Sequence, residues 1–166
     1  GEEGYQKWIT AMQPSSSLIF KNDILSDEWY PYTPAFHNPY RLVCDLFYDG
    51  SNTGIKEIAE YSYNRILPKW TKIFSMFIPK FFILSYGTEF IFKNLFDPVS
   101  IEIIKSRKGV LIAHIKDFNE DSDVLELSIL YWASSLLESI NNVKSSIEIT
   151  KSMKEGNAYT ELLLKW

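Results

Sequence analysis

The stretch VSIEIIKSRKGVLIAHIKDF, residues 99–118, decides how this chain is read. Val99 to Ser106 and Val110 to Phe118 are rich in β-branched residues, and Arg107-Lys108-Gly109 joins them, with Gly109 supplying the positive φ that a tight turn demands. That is a hairpin. The following Asn119-Glu120-Asp121-Ser122-Asp123 offers short polar side chains that cap free amides and negative charge that suits a helix N-terminus. Val124, Leu127, Leu130, Tyr131, Leu137 and Ile140 then recur at helical spacing. Ser145 to Lys154 and Tyr159 to Trp166 return to a strand pattern across Glu155-Gly156-Asn157, with Ile147 and Ile149 alternating with Glu148 and Thr150. Two hairpins around one long helix pack most economically as a single antiparallel sheet with the helix across its apolar face. The expected class is α+β, with a helical half over residues 1–98 and a β-β-α-β-β block forming a four-stranded antiparallel sheet over residues 99–166.

Working outward, Tyr5, Trp8 and Ile9 at helical spacing predict a short N-terminal helix ended by Pro14-Ser15-Ser16-Ser17. Asp27 to Pro34 is expected to be extended, since each residue before a proline is pushed out of the helical region, with its aromatics pinning the loop to the body. Asn38-Pro39 opens a helix to about Phe47, and Thr53-Gly54 starts another with Ile55, Ile58, Ala59, Ser62 and Ile66 on one face, the two expected to lie adjacent and antiparallel. Pro68 and Pro79 start further helical segments, and Asp97-Pro98 closes the helical half.

A length of 166 residues fits one domain with a substantial core. Lys and Arg number 17 against 21 Asp and Glu, a net charge of -4 that disfavours a nucleic-acid surface, which needs clustered cations. The single Cys44 excludes an intramolecular disulfide and a multi-cysteine metal cage, so a reducing cytoplasm is the expected compartment. The chain opens on Gly1 rather than Met, as expected of a cleaved or excised chain whose leader would not be seen. Its most apolar run, Ile73 to Leu84, is broken by Pro79 and Lys80 and is shorter than the roughly 20 residues a bilayer span requires.

The ending Thr150-x-x-Met153-x-x-Gly156-x-x-x-Thr160-x-x-x-x-x-Trp166 is similar to the closing hairpin of 4-vinyl-reductase-like small-molecule-binding domains. The hairpin, helix, hairpin order and the leading helical half with its Trp29-Tyr30-Pro31 segment resemble the same group and a related bacterial family of uncharacterised proteins. The resemblance implies the fold shared by ligand-binding domains in nitric-oxide signalling and by Golgi-transport tethering subunits. It also implies a regulator or scaffold that holds a small apolar molecule or acyl chain between sheet and helices, or that dimerises. Thr150 and Thr160 stand where that group often has cysteines, which removes a thiolate metal site. Haem-binding relatives hold haem propionates with Tyr-x-Ser-x-Arg; Tyr61-Ser62-Tyr63-Asn64-Arg65 has tyrosine in place of that serine and precedes the first strand. No cofactor and no metal is expected.

No catalytic set stands out. His37 reads as a loop histidine, and His114 lies mid-strand on the face of Val110, Ile112 and Lys116, either a satisfied sheet histidine or a polar group in a pocket. Cys44 lies on an apolar helix face where free cysteines are buried and inert. No serine occupies a Gly-x-Ser-x-Gly elbow, and Gly50 and Gly54 lack the residues of a phosphate loop. Glu102, Asp117, Glu120, Asp121 and Asp123, beside Lys105, Arg107, Lys108 and Lys116, read as a solvated edge. Aromatic residues make up 16% of the chain, and helical spacing spreads Phe77, Phe81 and Phe82 over more than one face, so a second apolar surface needs a cover. The expected function is a non-catalytic regulatory or sensor-type domain binding a small apolar ligand through Trp70, Phe74, Phe77, Phe81, Trp132 and His114. A homodimer or a neighbouring domain is the expected partner, and the rival reading is a homodimeric scaffold without ligand. An enzyme would instead need a cleft in which His114 or His37 meets a carboxylate.

Overall fold

Hairpin, helix, hairpin is the order observed in the computed structural model, which describes residues 1–25, 27–66, 96–107, 109–118, 120–141 and 144–166. Trp70, Phe74, Phe77 and Phe81 lie outside the described residues, as do the helical segments expected after Pro68 and Pro79. The chain forms two compact units, Gly1–Ile58 and Ala59–Trp166. The fold is α+β, with helices first and a four-stranded antiparallel sheet last. Among the described residues, no helix is long and apolar enough to cross a membrane.

In the first unit, α1 (Glu2–Ala11) and α2 (Pro14–Phe20) precede a π-helical turn, Thr33–His37, and α3 (Asn38–Phe47). Pro14 does end α1, yet it also sits at the first position of α2, where its missing N–H and fixed φ are no handicap. The serines read as a breaker are therefore helical. Trp8 donates from Nε1 to the carbonyl of Pro39 at 3.1 Å and sets its ring edge-on to Phe20, which ties α1 to α3 and α2. The loop aromatics are not all pinned, because Trp29 is 66% exposed.

α4 (Thr53–Ile66) begins beside the end of α3, and the division between the units falls within it. Gly54 makes that approach feasible: a Cβ there would lie 2.9 Å from Cys44 Sγ and 3.2 Å from Cys44 Cα. Gly54→Ala is accordingly expected to lose about 1–3 kcal/mol through overpacking, read from the urea midpoint; a loss below the few tenths that a surface change gives would contradict the close contact.

In the second unit, β1 (Ser100–Arg107) and β2 (Val110–Lys116) form the first hairpin, with Gly109 at φ +80°. β3 (Ser146–Lys151), a 3-10 turn at Met153–Glu155 and β4 (Thr160–Lys165) form the second, closed by Gly156 at φ +88°. The strand order is β1-β2-β4-β3, so the hairpins are joined by β2 pairing with β4. α5 (Asp123–Asn141) packs on β3 and β4.

The period of two places Leu111, Ala113, Ile115, Thr160, Leu162 and Leu164 on the buried face. From α5, Val124, Leu125, Ile129, Leu130, Leu136 and Leu137 complete that core. The face assigned from spacing is thus corrected: Leu127 and Tyr131 are only half-buried, while Leu125, Ile129 and Leu136 are buried. A helix apolar nearly all round has no single stripe for periodicity to find.

Candidate functional site

Glu126 on α5 is 2% exposed, and its carboxylate reaches the second hairpin. Oε1 accepts from Ser122 Oγ at 2.7 Å, Thr160 Oγ1 at 2.6 Å and the Met153 amide at 3.1 Å, and Oε2 accepts from Ser152 Oγ at 2.6 Å. Lys154 donates to Asp123 at 2.7 Å beside this group. Asp123 is therefore buried and paired rather than part of the solvated acidic edge expected from the sequence. With every oxygen occupied by the protein, this cluster clamps α5 to the hairpin and holds no capacity for a ligand.

The opposite face of the sheet carries a second polar group. The register sets His114 against Glu161, and His114 Nε2 lies 2.8 Å from Glu161 Oε2. Thr150 donates to Glu161 Oε1 at 2.7 Å, Tyr159 stacks on the imidazole with centroids 4.0 Å apart, and Lys151 donates to the Tyr159 hydroxyl at 2.6 Å. Beside them Glu102 and Lys116 form an exposed ion pair that lowers the carboxyl's pKa and raises the ammonium's.

The Thr150 hydroxyl first, and His114 next, hold the Glu161 carboxyl below its usual range. A lowered folded-state value means that this contribution to stability is present above the unfolded-state pKa of about 4.3 and is lost as pH falls through the folded value. Glu161→Gln is expected to lower stability by under about 1 kcal/mol at pH 7, because the partly exposed group is screened, and to converge with the parent as pH falls below the folded-state value. Urea midpoints across pH 3–7 measure this. A constant gap at all pH would assign the loss to packing instead.

His114 meeting a carboxylate is the one feature an acid–base enzyme would share. Here the ring is 12% exposed and covered by Tyr159, and the second oxygen of Glu161 is taken by Thr150, so the pair is a sheet staple. Cys44 is fully buried and burial pushes its thiol pKa up, which keeps it a neutral, unreactive side chain. His37 is half-buried in the π-helical turn, with Nδ1 3.2 Å from Asn38 Oδ1.

A third group is different in kind. Tyr63 on α4 sets its ring edge-on to Trp132 of α5, with centroids 5.6 Å apart and planes at 88°. Ser128 lies one turn before Trp132 and on the same side of α5. Tyr63 is 4% and Ser128 7% exposed, and among the described residues neither hydroxyl has a hydrogen-bond partner. Each such orphan costs about 1–3 kcal/mol, and folded proteins leave few of them. Two beside one aromatic pair mark a place where hydrogen-bonding capacity is unspent.

Of the site residues read from the sequence, Trp132 is in this group. His114 is not: Thr160, bonded to Glu126 of α5, shares the buried face with Leu162 and Leu164, and His114 points to the other side of the sheet. Tyr63, Ser128 and Glu126 escaped the sequence reading. The signals were slight: Tyr63 continues the Ile55–Ala59 face at steps of four, and Ser128 and Glu126 are polar residues inside an otherwise apolar helix.

No family model and no curated protein matches the chain. Solved structures do. A point mutant of the H-NOX protein from K. algicida, in the unliganded Fe(II) state, aligns with a TM-score of 0.69 and 12% identity over 96% of this chain and 84% of that one. The H-NOX protein from S. oneidensis in its Fe(II)NO ligation state aligns at 0.69 and 11% over 99% and 89%, respectively. A structure from work on the function of heme distortion in the H-NOX family aligns at 0.60 and 9% over 96% and 90%. At such identities the likeness is one of fold: the α+β arrangement of this chain is that of H-NOX structures.

Proposed function

We propose that this chain is a non-catalytic, sensor-type domain that binds a small molecule against Tyr63, Ser128 and Trp132. The observation that carries the proposal is the pair of buried hydroxyls without partners beside the Tyr63–Trp132 contact. The likeness in fold to H-NOX proteins, two of them described by their iron ligation state, supports a small-ligand sensor and supplies no argument for an acyl chain. A ligand that satisfies both hydroxyls is compact, apolar over most of its surface and carries a hydrogen-bond acceptor. The 4-vinyl-reductase-like ending supports small-molecule binding in the same way, and we take residues 1–166 to act as one ligand-binding domain. Trp70, Phe74, Phe77 and Phe81 are proposed to extend the apolar wall on sequence grounds alone.

Haem is the group named for the structural relatives, and His114 and Cys44 do not fit it as axial donors. Haem iron takes an axial imidazole or thiolate from the protein in many of its sites. His114 is committed to Glu161 and Tyr159, and Cys44 is a buried neutral thiol. Tyr61-Ser62-Tyr63-Asn64-Arg65 is helical, and β1 ends Ile103-Ile104-Lys105-Ser106-Arg107, without Tyr-x-Ser-x-Arg. The proposed reading therefore does not rest on haem.

A second reading, a homodimeric scaffold, draws on exposed Leu18, Ile24, Leu25 and Trp29 in the first unit. Native mass spectrometry of the purified protein, followed by denaturing extraction, separates the two. A discrete small adduct released on denaturation supports the sensor reading. A dimer from which nothing can be extracted, and which takes up nothing from a fragment library, supports the scaffold and ends the first proposal.

A further inference from the structure

We propose that the outer face of the sheet, at the end where β1 and β4 finish, docks an acidic segment of a partner protein. In the sequence Lys105 and Arg107 lie close to several carboxylates, and the strand directions pull the two signs apart. The register lines up Arg107, Val110, Lys165 and Ser146 as one rung across the four strands. Residues paired in this way share a face, so Arg107 and Lys165 stand on the side opposite Leu111 and Leu164, about 10 Å apart at two strand spacings. Lys105 is paired one rung further in, about 7 Å from Arg107 along β1. Lys144 immediately precedes β3 at this same end, whereas Asp97, Asp117 and Glu155 fall at the other.

The two ends also differ in what answers their charges. Lys116 has Glu102, Lys151 has the Tyr159 hydroxyl and Lys154 has Asp123. Lys105, Arg107, Lys144 and Lys165 are all exposed and, among the described residues, none of them is in an ion pair. Like charges gathered so closely repel one another, and an incoming carboxylate relieves that repulsion as well as adding its own attraction. The Trp166 amide donates to the Gly109 carbonyl at 3.1 Å, which ties the end of β4 to the β1–β2 turn and fixes Lys165 relative to Arg107.

The surface between these cations identifies the partner as a peptide. Val110, Ile112 and Leu163 form a half-buried apolar floor on the same face, and aliphatic side chains of a peptide cover it where a phosphate backbone offers nothing. Glu148, exposed at the β3 border of the next rung, turns away a continuous polyanion. An extended segment with carboxylates at alternate positions repeats at about 7 Å, the spacing of Lys105 and Arg107. Arg107 is suited to take one of those carboxylates in a bidentate pair.

The test is a titration of the full chain with a fluorescent peptide of repeated Glu-Glu-Leu, followed by anisotropy and amide NMR. The peptide is expected to bind saturably, to move resonances of β1, β2 and β4, and to weaken about tenfold between about 50 and about 200 mM salt, while a Gln-Gln-Leu counterpart does not bind. Arg107→Glu with Lys165→Glu is expected to weaken it about tenfold or more with the melting temperature unchanged, because neither side chain has a partner to lose. The neutral pair Arg107→Gln with Lys165→Gln is expected to act in the same direction, and Lys21→Glu, at an exposed cation of the first unit, to bind as the parent does. The proposal is overturned if the peptide does not saturate, if both double variants bind as tightly as the parent, or if a single-stranded oligonucleotide or phosphatidylserine vesicles bind this face more tightly than the peptide. Salt-sensitive self-association of the chain without peptide, abolished by the double reversal, also overturns it, by making the acidic end of a second copy the occupant.

Discussion

Glu126→Leu is expected to lower stability by about 4 kcal/mol and to leave the β3–β4 turn exchanging freely with solvent. The carboxylate gathers three hydroxyls and one backbone amide from the α5 N-terminus and the second hairpin. Removing it leaves buried hydroxyls without their acceptor, each worth about 1–3 kcal/mol, and leaves the Met153 amide only its bond to Thr160 Oγ1 at 3.0 Å. The sum is not additive, because Ser122 and Ser152 rotate and Thr160 relaxes, and the total falls in the range of about 3–5 kcal/mol seen when one partner of a buried charged pair is deleted. Glu126→Gln keeps the shape and one acceptor but turns an N–H₂ toward groups that also donate, so it is expected to lose about half as much. Urea denaturation at constant m gives the energies, and hydrogen exchange at the Met153 amide gives the local effect. A Glu126→Leu protein within 1 kcal/mol of the parent, with the Met153 amide still protected, would sink the clamp.

That clamp marks the boundary of what the sequence discloses. The sheet was legible because two independent signals coincide: residues alternate with period two in β2 and β3, and Gly109 and Gly156 stand where the backbone takes positive φ. α5 was legible as a helix but not as an oriented one, since buried Val124, Leu130 and Leu137 lie well off the stripe that Leu125, Ile129 and Leu136 form. α2 was missed because proline and serines end a helix and begin one with the same letters.

At the level of sites, local pattern treats a polar residue in an apolar helix as solvent-facing. Whether Glu126 is instead buried depends on Ser152 and Thr160, 26 and 34 residues away, which only the closed sheet brings within reach. Thr150 and Thr160, notable in the sequence as threonines where cysteines are common, acquire separate duties on opposite faces of the sheet: Thr160 serves Glu126, and Thr150 serves Glu161. His114 was picked out for its chemistry, yet strand register assigns it to Glu161 and away from Trp132.

Tyr63→Phe and Ser128→Ala are expected to weaken binding of the small ligand about tenfold each, and about a hundredfold together, while stabilising the ligand-free protein. The two effects have opposite signs for one reason. In the free protein both hydroxyls are buried and without partners, so deleting the oxygen removes a desolvation cost and leaves the Tyr63–Trp132 ring contact intact. In the complex the same oxygen meets an acceptor on the ligand, and a neutral hydrogen bond of about 1–1.5 kcal/mol corresponds to roughly a tenfold change in affinity. Trp132→Ala acts differently, because it removes a large buried ring and is expected to lose about 3–5 kcal/mol of stability along with the ligand. It therefore cannot separate binding from folding, and the hydroxyl deletions can. The measurement pairs the melting temperature of each free variant with the amount of adduct that survives native mass spectrometry. Variants more stable than the parent that retain less ligand match the expected pattern. Variants less stable than the parent would mean the hydroxyls are satisfied within the protein, and stable variants with undiminished occupancy would move the ligand away from Tyr63 and Ser128.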